Sequence, residues 1–210
     1  MNKNKPNLIV PILVFFTVFS VKSQYFEGGA MIGFSFSQID GDTYAGYHQP
    51  GLSGGFYSAR DLGKNIQARM EIKYIAKGAR ETGTKEDPME YSQKLRYIQV
   101  PLMVNYKLEK YNSLLGTGVG IGYLFHEKGE FDGSLLKDPY SKVEIDWIMA
   151  LQYHINKAIS VSAQFNYSLL PVRRYENTDY NYGFFSRTFW MTKGDYNNVI
   201  QLLLYYKFGK

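Results

Sequence analysis

The stretch Ile159-Ser160-Val161-Ser162-Ala163-Gln164-Phe165-Asn166-Tyr167-Ser168-Leu169 alternates apolar and polar side chains without a break. Successive side chains of a β-strand point to opposite faces, so this run is a strand with one apolar and one polar side. The same period of two returns on both sides of it. Val143, Ile145, Trp147, Met149, Leu151 and Tyr153 stand against Lys142, Glu144, Asp146, Gln152 and His154. Ile200, Leu202, Leu204, Tyr206 and Phe208 stand against Gln201, Tyr205 and Lys207. Upstream, Ile98, Val100, Leu102, Val104, Tyr106 and Leu108 oppose Tyr97, Gln99, Asn105 and Lys107. Ile66, Ala68, Met70, Ile72, Tyr74 and Ala76 oppose Asn65, Gln67, Arg69, Glu71, Lys73 and Lys77. Three further segments fit less cleanly. Ala30, Ile32, Phe34 and Phe36 share a face, Leu52 and Phe56 mark a Gly-rich strand, and Leu115, Val119, Ile121, Tyr123 and Phe125 oppose Gly116, Gly118, Gly120 and Gly122. No segment sustains the i, i+3, i+4, i+7 spacing of an amphipathic helix.

Eight strands of roughly 10–14 residues are therefore expected, at about 28–37, 50–60, 65–77, 96–108, 114–125, 142–154, 158–169 and from 198 onward. The connections add a second regularity. Residues 60–64, 109–113 and 155–157 are short turns, whereas 38–49, 79–94, 126–141 and 170–197 are long and polar. Long and short connections alternate strictly, which is the pattern of an up-and-down barrel with loops at one end and tight turns at the other. Both ends of the chain fall at the short-turn end, which requires an even number of strands.

The chain of 210 residues has no cysteine, which excludes disulfide scaffolds, thiolate metal sites and thiol catalysis. Only 20% of residues are charged and 17% are aromatic, which is not the composition of a disordered chain. Lys3 and Lys5 precede twelve residues, Leu8 to Phe19, that are apolar except for Thr17, and Ser20-Val21-Lys22-Ser23 follows. This reads as a secretory signal peptide over 1–23, leaving a barrel domain over 24–210. Twelve residues are too few to span a ~30 Å hydrocarbon layer as a helix. Removing 1–23 takes away Lys3, Lys5 and Lys22 and no acid, so the formal charge falls from +5 to +2. Nucleic-acid binding thereby loses its electrostatic support.

Two barrels fit these strands. A soluble ligand-binding barrel turns its apolar face inward. A membrane barrel turns it toward lipid and fills its interior with polar groups. Strand length and aromatic residues near strand ends favour the membrane, as do the charges in mid-strand, Arg69, Glu71, Lys73, Glu144 and Asp146. The fold class is therefore all-β, an eight-stranded antiparallel up-and-down transmembrane barrel. Eight strands leave an interior that side chains fill. Arg69 and Lys73 are expected to pair there with Glu144 and Asp146, since a buried charge without a partner is costly. The glycines at 116–122 leave room for neighbours such as Tyr97 and Met103. Pro101 lacks a ladder donor, so a bulge is expected there.

With those features in place, the chain resembles the Bacteroidetes outer-membrane β-barrel proteins of the PorT-like family. The carrying stretches are Ser23-Gln24, Gly33-Phe34-Ser35-Phe36-Ser37-Gln38-Ile39-Asp40-Gly41-Asp42, Pro50-Gly51-Leu52-Ser53-Gly54-Gly55 and Met70-Glu71-Ile72-Lys73-Tyr74 with Lys77-Gly78-Ala79-Arg80. Leu95-Arg96-Tyr97-Ile98-Gln99-Val100-Pro101-Leu102 and Gly118-Val119-Gly120-Ile121-Gly122-Tyr123-Leu124 follow in order. The resemblance implies an outer-membrane barrel, and its name-giving branch implies an accessory role in type IX secretion and gliding.

Catalytic chemistry has thin material. His126 with Ser141 or Ser168 and Glu127 is the one grouping that a lipid-modifying hydrolase could draw on, beside His48 and His154. Asp40 and Asp42 fall short of a calcium loop. No enzyme activity and no cofactor are expected. The long last connection is the stronger functional feature. It carries Arg173, Arg174, Phe185, Arg187 and Trp190, and exposed aromatics with arginines mark recognition surfaces. The alternative is that Phe184 to Trp190 continue the barrel wall. The expected partners are outer-membrane lipid and another envelope or secretion protein, with no nucleic acid.

Overall fold

The computed structural model describes residues 26–41, 46–83, 90–136, 140–174 and 194–209. Among these residues ten strands follow one another: β1 Glu27–Asp40, β2 Gln49–Asp61, β3 Ile66–Glu81, β4 Tyr91–Leu108, β5 Ser113–Phe131, β6 Ser134–Leu136, β7 Val143–His154, β8 Ile159–Ser168, β9 Arg173–Arg174 and β10 Gly194–Lys207. All but the short β6 and β9 form the barrel wall. Each wall strand pairs antiparallel with the next, and β1 pairs with β10 from Gly29↔Lys207 to Asp40↔Tyr196, which closes the sheet.

Directly opposed residues trace a path once round the wall: Glu27, Ala59, Arg69, Met103, Gly118, Ile148, Asn166, Val199 and Ser37. The path returns to β1 ten residues further on. With ~3.3 Å per residue and ~4.8 Å between strands, that stagger tilts the strands roughly 40° from the barrel axis. About twelve residues at that tilt cover a ~30 Å hydrocarbon layer, and β7 has twelve.

The alternation read from sequence sets the two faces. Ile32, Phe34, Leu52, Ile72, Leu102, Ile121, Leu151 and Leu202 are exposed on the outside, Leu102 at 53%. Ser35, Ser53, Arg69, Glu71, Lys73, Gln99, Glu144, Asp146, Gln164 and Gln201 are buried inside. A belt of exposed apolar side chains around a polar interior excludes the soluble ligand-binding barrel, whose apolar face would be turned in.

Two features depart from the sequence expectation. The strands β3, β4 and β5 run to 16, 18 and 19 residues. Parts of 79–94 and 126–141 are thus strand rather than loop. Backbone pairing continues there above the level where β5 stops pairing with β7 at Tyr123↔Val143. Pro101 also carries no bulge. It sits in register opposite Gly120, and on its other side the ladder skips from Met70↔Leu102 to Lys73↔Gln99 without a shift. Its missing N–H removes ladder bonds but inserts no residue. The bulge lies instead between Arg96 and Tyr97, with Phe125 as the extra residue of β5. At the short-turn end, β4 and β5 are joined through a 3₁₀ turn, Glu109–Tyr111, closed by Asn112 at φ 49°. Asparagine tolerates that left-handed conformation better than other side-chain-bearing residues do.

Candidate functional site

The polar interior is organised in two connected charge clusters with an apolar seal above them. Room for it comes from β5. Cβ atoms at Gly116 and Gly122 would lie 2.2 Å from Asn105 Oδ1 and 3.3 Å from a ring carbon of Tyr97. Met103 Cε is 3.3 Å from the Gly116 position. The bare strand therefore accommodates the large inward residues of β4.

In the cluster nearer the short turns, Glu71 is held between Arg69 and Lys73, each at 3.3 Å. The Tyr205 hydroxyl donates to Glu71 Oε1 at 2.9 Å, and Gln164 Nε2 donates to Tyr205 Oη at 2.8 Å. Lys73 Nζ donates to Gln164 Oε1 at 2.8 Å, which closes the ring. Arg69 also donates to Gln152 and lies 5.2 Å over the Tyr205 ring. In the cluster nearer the loops, Lys77 Nζ donates to Glu144 Oε2 at 2.9 Å and Asp146 Oδ2 at 2.7 Å, and lies 5.1 Å over the Tyr97 ring. Asn197 Nδ2 donates to Glu144 Oε1 at 2.9 Å, Ser168 Oγ to the same atom, and Gln99 to Asp146. Gln99 and Gln201 both bond Asn166, which links the layers.

The expected charged residues are thus all inside, but the pairing differs. Arg69 and Lys73 serve Glu71, and Lys77 serves Glu144 and Asp146. Arg69, Glu71 and Lys73 occupy successive inward positions of one strand, so they are each other's nearest charges. Lys77 reaches the β7 carboxylates because the stagger of the barrel brings that level of β3 opposite them. Three cations and three carboxylates balance, and each has an opposite charge within 3.3 Å. Balance and hydrogen bonding are what make buried ions tolerable.

Above this network, Ile39, Ile75, Leu95, Tyr97, Leu124, Tyr140, Val172 and Val199 pack into one buried apolar cluster. Arg173 and Asp195 form its rim. Arg173 Nε donates to Asp195 Oδ2 at 2.8 Å, and the Tyr140 hydroxyl donates to the same oxygen at 3.4 Å. Burial pushes the pKa of Tyr140 up, so it remains a donor. Arg173, expected as a recognition residue, is engaged in this rim, while Arg174 is exposed. Phe185, Arg187 and Trp190 lie outside the described residues, as does the continuation of the wall expected over 184–190.

Among the described residues no hydrogen bond joins His126 to Ser141, Ser168 or Glu127. Ser168 is buried in the lumen on Glu144, whereas His126 is exposed on the outside of β5. Ser141 Oγ donates to Val143 O at 2.9 Å, and Glu127 Oε1 accepts the Tyr140 N–H at 3.2 Å. His48 lies 3.7 Å from Glu81, and His154 contacts Ser160 at 2.7 Å at the opposite end of the barrel. Asp40 accepts from Gln38 at 2.6 Å, and Asp42 lies outside the described residues. Among the described residues no group of three or more His, Asp or Glu side chains could hold a metal ion.

The sequence profile of the outer membrane protein β-barrel domain family matches residues 19–174. The chain belongs to that family. Its apolar belt is accordingly the lipid-facing wall of an outer-membrane barrel, and the charge network is the filling of that barrel. Solved structures share the fold. Neisserial surface protein A is 10% identical with a TM-score of 0.53, covering 86% of this chain and 97% of its own. The attachment invasion locus protein Ail of Yersinia pestis, in complex with the heparin analogue sucrose octasulfate, is 13% identical with a TM-score of 0.51, covering 87% and 99%. No curated protein matches.

Proposed function

We propose that this is a non-enzymatic outer-membrane barrel that acts at its outer end, as a structural or partner-recognising component. In this reading the leader 1–23 is removed on export, the loop end faces outward and the lumen is a plug rather than a path. The observation that carries it is the pairing of a charge-balanced interior with an apolar seal at the loop end. The lumen charges are paired with one another, so the chemistry available to a partner lies in the long connections. Arg174, Phe185, Arg187 and Trp190 are the recognition residues of this proposal. Kinship with the Bacteroidetes PorT-like branch rests on the ordered sequence stretches and belongs to the same proposal.

The test uses a deletion strain complemented by the full chain or by a version with 175–191 replaced by a short turn. The shortened barrel is expected to insert, to show no steady conductance in planar bilayers, and to leave the deletion phenotype unrescued. Full rescue by the shortened barrel, or a stable pore in the full chain, would overturn the reading. Periplasmic accumulation of type IX cargo in the deletion strain would replace it with the secretion-accessory role.

A further inference from the structure

Among the described residues the wall continues above the membrane belt as the extension formed by β3, β4 and β5. Its outward face changes character abruptly. Tyr74, Ile98 and Tyr123 lie side by side across the three strands, with the Tyr74 and Phe125 rings 6.1 Å apart. Tyrosine is enriched at the membrane–water interface, so this row marks that level. The next outward row is Ala76, Arg96 and His126, and the one above it Gly78, Lys94 and Lys128. Arg80 follows on β3, opposite Ser92, which itself faces Glu130.

The Phe125 bulge produces this arrangement on β5. Odd-numbered residues face outward up to Phe125, and even-numbered ones beyond it. Without the extra residue, Glu127 and Gly129 would face out and His126 and Lys128 would point toward the apolar seal. Gly78 contributes by having no side chain. At φ +144° a Cβ there would lie 1.9 Å from Gln93 O, so only glycine fits between Arg80 and Ala76 on this strand, and it is itself buried. One carboxylate lies among these cations, Glu130, which is held by Lys128 and also feels the charge of Lys94. Lys128 holds Glu130 at 2.5 Å, and Arg80, Lys94 and Arg96 have no carboxylate within ion-pair distance among the described residues. Lys94 and Lys128 are directly opposed, and like charges in that position are destabilising unless an anion joins them. At the same end of β1 and β2 the outward side chains are Gln38, Asp40 and Pro50, so the cations form a local patch and not a belt.

We propose that this face is a binding site for the phosphate groups of outer-leaflet lipid headgroups, with Arg80, Lys94 and Arg96 as the ligating cations. Its depth carries the choice of occupant. The cations begin one outward row above the interfacial tyrosines, which is headgroup level. The site lies on the lateral wall and is independent of what the long loops recognise. Guanidinium groups match phosphate oxygens in bidentate geometry.

The test is made on the full barrel refolded into phosphatidylcholine nanodiscs with increasing lipid A, a phosphorylated glycolipid, and with its dephosphorylated form. Retained lipid is counted by native mass spectrometry. Each cation near an anionic surface strengthens binding about fivefold, so the Arg80→Gln, Lys94→Gln, Arg96→Gln triple variant should lose about a hundredfold in lipid A affinity. A control variant at the short-turn end, Lys64→Gln, Lys110→Gln, Lys157→Gln, should lose none. Both should keep the heat-modifiable band of a folded barrel on gels. If the triple variant does not fold, Lys94→Gln alone should lose about fivefold, and wild-type binding should weaken with salt. Equal retention by the folded triple variant and wild type, or equal retention of the dephosphorylated lipid, would overturn the proposal.

Discussion

Replacing Lys77 by methionine tests whether the barrel interior is a set of specific ion pairs. Methionine keeps the length of the side chain and removes its charge. Lys77 Nζ lies 2.9 Å from Glu144 Oε2 and 2.7 Å from Asp146 Oδ2, all buried. A unit charge pair at ~4 Å attracts by about 4 kcal/mol at an effective dielectric of ~20. Much of that offsets the cost of taking the ions out of water, and breaking a buried pair typically costs about 3–5 kcal/mol. Lys77→Met should fall in that range because it leaves two adjacent carboxylates with no counter-charge. Lys73→Met is the comparison. Glu71 then retains Arg69 at 3.3 Å and the Tyr205 hydroxyl at 2.9 Å, so the loss should be nearer ~1.5–3 kcal/mol, the worth of a hydrogen bond to a charged group. Adding Asp146→Asn to Lys77→Met should recover part of the loss. Urea unfolding in phosphatidylcholine vesicles, followed by tryptophan fluorescence, measures all three. Losses for the two lysine variants equal within about 0.5 kcal/mol, or no recovery in the double variant, would refute the pairing.

Two further outcomes follow from the wall. Leu102, midway along the outward face of β4, should lose about 2–4 kcal/mol on replacement by arginine if it lies at the bilayer midplane, and the same vesicle titration reads this. Gly118→Ala should cost more than Gly122→Ala, about 1–3 kcal/mol against less. A Cβ at Gly118 would lie 2.1 Å from the backbone oxygen of Leu102, whereas at Gly122 it meets the Tyr97 ring at 3.3 Å.

The wall was legible because alternation is a local property. Runs such as 159–169 and 143–153 carry their own face assignment, and the mid-strand charges on the polar side had to be inside once the apolar side faced lipid. What stayed hidden depends on register. Lys77 is one polar residue among several on β3, and only the ten-residue stagger around the wall sets it against Glu144 and Asp146. The extension of β3 to β5 was hidden for a related reason. Its outward residues are polar or charged, so it reads as loop, yet its backbone groups pair as they do lower down. The bulge followed the same logic. Pro101 carries a visible signal but is absorbed by skipped ladder bonds. Phe125 carries none, because one extra residue is visible only against the partner strand.

The pairing of β1 with β10 joins residues such as Phe34 and Leu202 from opposite ends of the chain. Until that seam forms, the wall is an open sheet with two unsatisfied edges, both hostile to a hydrocarbon environment. The seam is also the pairing of longest sequence separation, and contacts of that kind are slow to form. Assembly is therefore expected to wait for the last strand, with β10 acting as the latch. A barrel domain cut at one of the short turns and rejoined by a linker between Phe26 and Phe208 would carry its latch elsewhere on the wall.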